Sequence, residues 1–210
     1  MKLKFCGFRT ATDVKQARHL EIDAIGFIHY PKSKRFVDTA TIKSLIQLVP
    51  NDKQTVVIVV NPTMDKITEL VQVTGLSTIQ LHGDESVEFV AQVKQHFPQL
   101  NIIKALPANE KLNANLVAYQ PYVNLFIIDT PSKAYGGTGQ HFNWQILQQI
   151  RDIPYLIAGG INYDSIQQIE QLNLAHSGYD IASGIEINQY KDKDKMNDII
   201  KLVKGVSTHE

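Results

Sequence analysis

Two residues far apart in the chain carry the proton chemistry this sequence offers. Cys6 closes the apolar run "LKFC" (3–6) and is followed at once by Gly7. Asp129 closes a second apolar run, "LFIID" (125–129), ahead of a glycine-rich stretch with "GGTG" at 136–139. A thiol becomes a base or nucleophile when positive charge or donors adjust its acidity, and a carboxyl facing a semi-enclosed site can be held protonated and deliver a proton. One acceptor and one donor facing each other suit an aldose–ketose isomerisation, in which a proton leaves one atom while another is protonated. On residue type alone each also has a plain reading: a lone cysteine in an apolar run fills cores, and an aspartate at a strand end caps loops.

A second group of residues suits an anion. "AGGI" (158–161) and "ASGIE" (182–186) each follow an apolar run, and Gly159, Gly160, Ser183 and Gly184 would let backbone N–H groups approach a phosphate closely. Tight turns alone would also explain these glycines. No "GxxxxGK[ST]" stretch is present, so a nucleotide P-loop is not supported. Arg35, in "PKSKRF" (31–36), could hold a carboxylate bidentately, although Lys32 and Lys34 beside it fit a solvated basic loop. His29 and His82 end apolar runs and with Asp129 would be the start of a metal site, but neither belongs to a tight ligand motif; hydrogen bonding within "QLHGDE" (80–85) is the plainer role for His82. Lys104 is the residue a lysine-dependent barrel synthase would use.

These residues need a scaffold that gathers run ends. Eight apolar runs qualify as strands: 3–6, 24–28, 55–60, 78–81, 102–105, 125–129, 155–158 and 179–182. Each interval leaves room for a helix, and several show helical spacing of apolar residues, as at Ile67, Leu70 and Val71, at Ile166, Ile169 and Leu172, and at Met196, Ile199, Ile200 and Val203. Thr12–Asp13 and Asn162 read as helix starts. Eight β/α units with strands apolar on both faces predict a closed (β/α)8 TIM barrel formed by a single catalytic domain over residues 1–210, with chemistry where the strands end; a doubly wound open sheet is the structural alternative.

Composition narrows the partners. The chain has 210 residues, 43% apolar content, a formal net charge of zero and one cysteine. Scattered Lys and Arg give no footprint for nucleic acid, and a single cysteine excludes an internal disulfide framework. No apolar run is long enough to span a membrane and the start lacks a signal-peptide core, so a cytoplasmic location is expected. The polar tail "KGVSTHE" (204–210) is expected to fray.

Taken together, "KFCG" (4–7), "DAIGFIHYPKSKRFV" (23–37), "QLHGDE" (80–85), the Asp129 strand with "GGTG" (136–139) and "FNW" (142–144), "IAGGIN" (157–162), and "YDIASGIE" (179–186) with "KD" (191–192) closely resemble the phosphoribosylanthranilate isomerase family of tryptophan biosynthesis. The resemblance implies an Amadori rearrangement of a phosphosugar-anthranilate substrate without metal or organic cofactor. It implies Asp129 as general acid, Cys6 as general base, Arg35 on the anthranilate carboxylate, the loops at Gly159–Gly160 and Ser183–Gly184 on the phosphate, and "GGTG" as a loop closing over the substrate. Members act as monomers or homodimers. The chain departs from the family at Phe8 and Arg9, where an aliphatic residue and threonine are usual, at Lys34 in place of proline, and at Asn143 in place of aspartate. Phe8 and Arg9 stand next to the thiol in sequence, so an effect on its acidity or on pocket shape is expected.

Overall fold

The computed structural model describes residues 1–130 and 144–205. The "GGTG" stretch, Asn143 and all but the first two residues of the expected frayed tail lie outside them. Eight strands, β1 (Lys2–Cys6), β2 (Ala24–Ile28), β3 (Gln54–Val59), β4 (Thr78–Leu81), β5 (Asn101–Pro107), β6 (Leu125–Asp129), β7 (Tyr155–Ala158) and β8 (Gly178–Ile181), pair in chain order as a closed barrel. Every pairing in it is parallel, including the β8–β1 contact that closes the ring. The barrel is therefore the architecture, and an open sheet is not. The strands begin or end within two residues of their expected bounds, and no helix among the described residues is long and apolar enough to cross a membrane.

Alternation along each strand separates two apolar layers. Leu3, Phe5, Phe126, Ile128, Tyr179 and Ile181 pack outward against the helices, whereas Cys6, Ala24, Ile58, Ile103, Ile127 and Leu156 fill the barrel interior. Near-continuous apolar runs arise because both faces are covered. The same parity carries Asp129, two residues beyond Ile127, to the interior side at the strand's C-terminal end.

Among the described residues seven α-helices cover the strands: α1 (Ala11–Ala17), α2 (Thr39–Ile46), α3 (Met64–Thr74), α4 (Val87–His96), α5 (Leu112–Tyr119), α6 (Tyr163–Glu170) and α7 (Lys193–Lys204). Asn162 caps α6 in a reciprocal box with Ser165, as its type suggests. The first helix starts earlier than expected, because Thr10, not Thr12, accepts from the Asp13 amide. Ahead of β7 the described chain forms a 3-10 helix, Trp144–Gln149, in place of an α-helix.

One element was not expected. After β8, a hairpin of β9 (Glu186–Ile187) and β10 (Tyr190–Lys191) turns through Asn188 and Gln189, at φ 50° and 68°. Two central residues with positive φ mark the tight hairpin turn normally signalled by Asn-Gly, and glutamine hides that signal.

Candidate active site

Cys6 and Asp129 meet at the C-terminal mouth of the barrel. Both line a cavity of about 250 Å³, together with Gly159, Gly160, Ser183 and Asp180. A larger cavity of about 660 Å³, bordered by Tyr30, Asn61, Pro107 and Thr130, adjoins it through two shared residues, His82 and Asp129. The carboxylate thus stands between a small glycine-lined chamber and a roomier one.

Asp129 is held from the side. His82 Nε2 lies 3.1 Å from Asp129 Oδ2, and Gln80 Nε2 lies 2.9 Å from His82 Nδ1. With the Gln80 amide donating to Nδ1, the ring hydrogen sits on Nε2 and is donated to the carboxylate. His82 thus bonds within "QLHGDE" as expected, through Gln80, and in addition reaches across the mouth to Asp129. Among the described residues, Gln80 Oε1 is buried with no hydrogen-bond partner.

The thiol sits where the barrel makes room for it. Gly26 pairs with Cys6 across β1 and β2, and a Cβ on Gly26 would lie 2.8 Å from the sulfur. Burial pushes the Cys6 thiol up from its ordinary acidity, while the Lys4 ammonium below it works in the opposite direction. Lys4 itself is 2% exposed and pairs with Asp180 at 2.7 Å. Phe8 is fully buried under the Lys191 ammonium, which lies 5.3 Å from its ring, and Arg9 donates to the Gln189 and Lys34 carbonyls. Neither departure lines either cavity.

The two glycine loops interlock. Gly159 has φ 92°, and a Cβ there would fall 1.8 Å from the Thr130 carbonyl oxygen, so only glycine fits. Gly159, Gly160 and Ser183 face the small cavity, whereas Gly184 does not line it. A Cβ on Gly184 would come 2.0 Å from the Ile161 carbonyl oxygen, so this glycine packs the β8 loop against the β7 loop.

Arg35 lines neither cavity. Its Nε and Nη2 engage Glu186 at 2.8 and 2.5 Å, and Glu186 also accepts from Lys191 at 2.6 Å. Lys191 in turn donates to the carbonyl oxygens of Cys6 and Ala182, tying the thiol's strand to the loop that carries Ser183. Sequence reasoning missed this cluster: Glu186 and Lys191 come together only through the β9–β10 hairpin.

Other candidates fall away from the mouth. Lys104 shares the outward parity of Ile102 and Leu106, and its ammonium binds Glu85 at 2.9 Å and the Gly83 carbonyl at 2.7 Å, bracing the loop that carries His82. His29 bonds the Val37 carbonyl through Nδ1 and lines neither cavity. Among the described residues no three His, Cys, Asp or Glu side chains gather as a metal site.

A closed parallel barrel with an acid, a thiol and a glycine-lined chamber at the C-terminal mouth defines a (β/α)8-barrel enzyme working on a small ligand. The family model described as N-(5'phosphoribosyl)anthranilate (PRA) isomerase matches residues 3–202. An N-(5'-phosphoribosyl)anthranilate isomerase from Staphylococcus aureus (strain Mu3) is 52% identical over 210 residues, covering all of both chains. The crystal structure of phosphoribosyl anthranilate isomerase from Thermotoga maritima superposes with TM-score 0.84 at 27% identity, covering 98% of this chain and all of that one. A further phosphoribosyl anthranilate isomerase structure, in complex with reduced 1-(o-carboxyphenylamino)-1-deoxyribulose 5-phosphate, matches with TM-score 0.84 at 25% identity and the same coverage. The chain belongs to the N-(5'-phosphoribosyl)anthranilate isomerase family, enzymes of tryptophan biosynthesis.

Proposed function

We propose that, in the isomerisation this family catalyses, Asp129 is the general acid and Cys6 the general base. The observation that carries the reading is their meeting in one small cavity with Gly159, Gly160 and Ser183. The phosphate of N-(5-phosphoribosyl)anthranilate lies against those loops, with Gly184 shaping the turn behind them, and the aminobenzoate extends into the larger cavity beyond Asp129.

The steps are proton transfers alone and call for no metal or organic cofactor. Asp129 gives its proton to the ribose ring oxygen as the C1–O bond breaks, and the anthranilate nitrogen lone pair forms the C=N bond of a Schiff base. Cys6 removes the C2 proton, and the electrons of that C–H bond move to make the C1=C2 enolamine. Loss of the 2-hydroxyl proton and protonation at C1 then give 1-(2-carboxyphenylamino)-1-deoxyribulose 5-phosphate. His82 keeps the Asp129 oxygen turned to the ring oxygen. Arg35, which in this structure lines neither cavity and has its Nε/Nη2 edge on Glu186, swings its Nη1/Nη2 edge toward the mouth to hold the anthranilate carboxylate. This reading places the chain in the cytoplasm, as one domain over residues 1–210 working as a monomer or homodimer, with a small-molecule substrate and no nucleic acid partner.

The test is turnover of freshly prepared N-(5-phosphoribosyl)anthranilate, followed by loss of anthranilate fluorescence in the presence of a chelator, with inorganic phosphate as competitor. Turnover that phosphate inhibits competitively supports the reading. No turnover by the wild type overturns it.

A further inference from the structure

We propose that Lys4 is a positioning residue for the base step, its ammonium fixed by Asp180 beneath the cavity so that it stabilises the thiolate of Cys6. The proposal rests on the reading of Cys6 as the base.

The argument begins with where the lysine lies. Lys4 precedes Cys6 by two residues on β1, so both point into the barrel, the lysine one interior position deeper along the strand. The buried barrel interior around it is otherwise apolar and includes Ala24, Val56, Ile103, Ile127 and Leu156. A lysine 2% exposed among such neighbours is a poor stabiliser, because a buried ion pair is commonly matched or bettered by apolar residues of similar volume. Something other than packing has to explain its presence.

Its partner is placed to hold it and not to absorb it. Asp180 sits opposite Lys4 in the β1–β8 register and meets the ammonium at 2.7 Å while also lining the cavity. One of three ammonium donors is thereby committed. Cys6 and Asp180 line the same cavity, and the charge of Lys4 favours the Cys6 thiolate. Burial by itself works against the lysine's charge, but Asp180 and Cys6 together hold Lys4 above the ordinary lysine range, so it stays cationic.

The remaining charges around the thiol cannot replace it. Lys191, from β10, has its donors on Glu186 and on the Cys6 and Ala182 carbonyls. Arg35, from the loop after β2, is engaged by Glu186. Asp180, from β8, opposes the thiolate. His82 and Asp129 face it across the cavity, and its neighbours from β2 and β3 are the uncharged Gly26 and Ile58. Lys4, two residues before Cys6 on the same interior face of β1, is the cation left to stabilise the thiolate.

The test is the pH dependence of iodoacetamide alkylation in the free enzyme, where Cys6 is the one cysteine. Lys4→Met is expected to raise the alkylation midpoint by about one pH unit or more and to slow the reaction at neutral pH roughly tenfold, whereas Lys4→Arg keeps the midpoint near that of the wild type. Asp180→Asn, with Lys4 intact, is expected to move the midpoint down. If Lys4→Met does not fold, the neutral pair Lys4→Met/Asp180→Asn is read in its place, with a raised midpoint expected because the lysine acts on the thiol more strongly than the aspartate. An unmoved midpoint in Lys4→Met, or in the neutral pair where Lys4→Met does not fold, would overturn the proposal. Cys6→Ser separates it from the base reading: full turnover by that variant defeats the base reading whatever Lys4 does, and an inactive Cys6→Ser beside an unmoved Lys4→Met midpoint defeats the Lys4 proposal alone.

Discussion

His82 Nε2 and Asp129 Oδ2 lie 3.1 Å apart at the boundary between the two cavities, joining the ends of β4 and β6. The ring is oriented by Gln80, two residues earlier on the same interior face of β4. In the general-acid role proposed for Asp129, a carboxyl free to rotate would deliver its proton to the wrong place for much of the time, and the His82 bond restricts that freedom. His82→Ala is expected to lower kcat between about ten- and a hundredfold with little change in KM. Gln80→Leu should act in the same direction and more weakly. Steady-state kinetics of the two variants checks both.

Gly26 offers a test of the space around the thiol. Its substitution by alanine would place a Cβ 2.8 Å from the Cys6 sulfur and 3.1 Å from Ile58 Cδ1. The sulfur and the isoleucine must both give way, and overpacking of this kind costs about 1–3 kcal/mol. Urea unfolding should show that loss for Gly26→Ala, with a fall in kcat because the thiol has been displaced.

The Glu186 cluster makes the mouth sensitive to acid. Burial alone would push the Glu186 carboxyl up, but Arg35 and Lys191 outweigh it and hold the group below its ordinary value of 4.5. A carboxyl depressed by folding contributes stability above its unfolded pKa, and that contribution is lost as pH falls through the folded value. Thermal unfolding from neutral to acid pH should therefore show a decline below about pH 4.5 that is shallower in Glu186→Gln. That variant starts from a lower stability, by about 3 kcal/mol, because it leaves the Lys191 ammonium buried without its carboxylate.

Much of this arrangement can be read from residue order. Barrel strands have a simple signature, an apolar run covered on both faces, and the ends of β1, β6, β7 and β8 therefore point to Cys6, Asp129, Gly159, Gly160 and Ser183 before any coordinates are consulted. Pairings between distant charged residues have no such signature. Lys4 reads as one polar residue interrupting a strand, and only closure of β8 onto β1 sets Asp180 opposite it. Arg35 reads as part of a basic loop, and only the hairpin through Asn188 and Gln189 brings Glu186 and Lys191 around it. The 3-10 helix at Trp144–Gln149 fell into an interval read as a helix because six residues of mixed polarity do not distinguish a tight turn from the start of an α-helix.

The measurement that bears most directly on the central claim sets wild type, Cys6→Ser and Asp129→Asn side by side on fresh N-(5-phosphoribosyl)anthranilate, with each variant's fold verified by circular dichroism. The acid–base account expects kcat to fall at least about a hundredfold in each variant, with substrate still bound. Either variant turning over at close to the wild-type rate would contradict it.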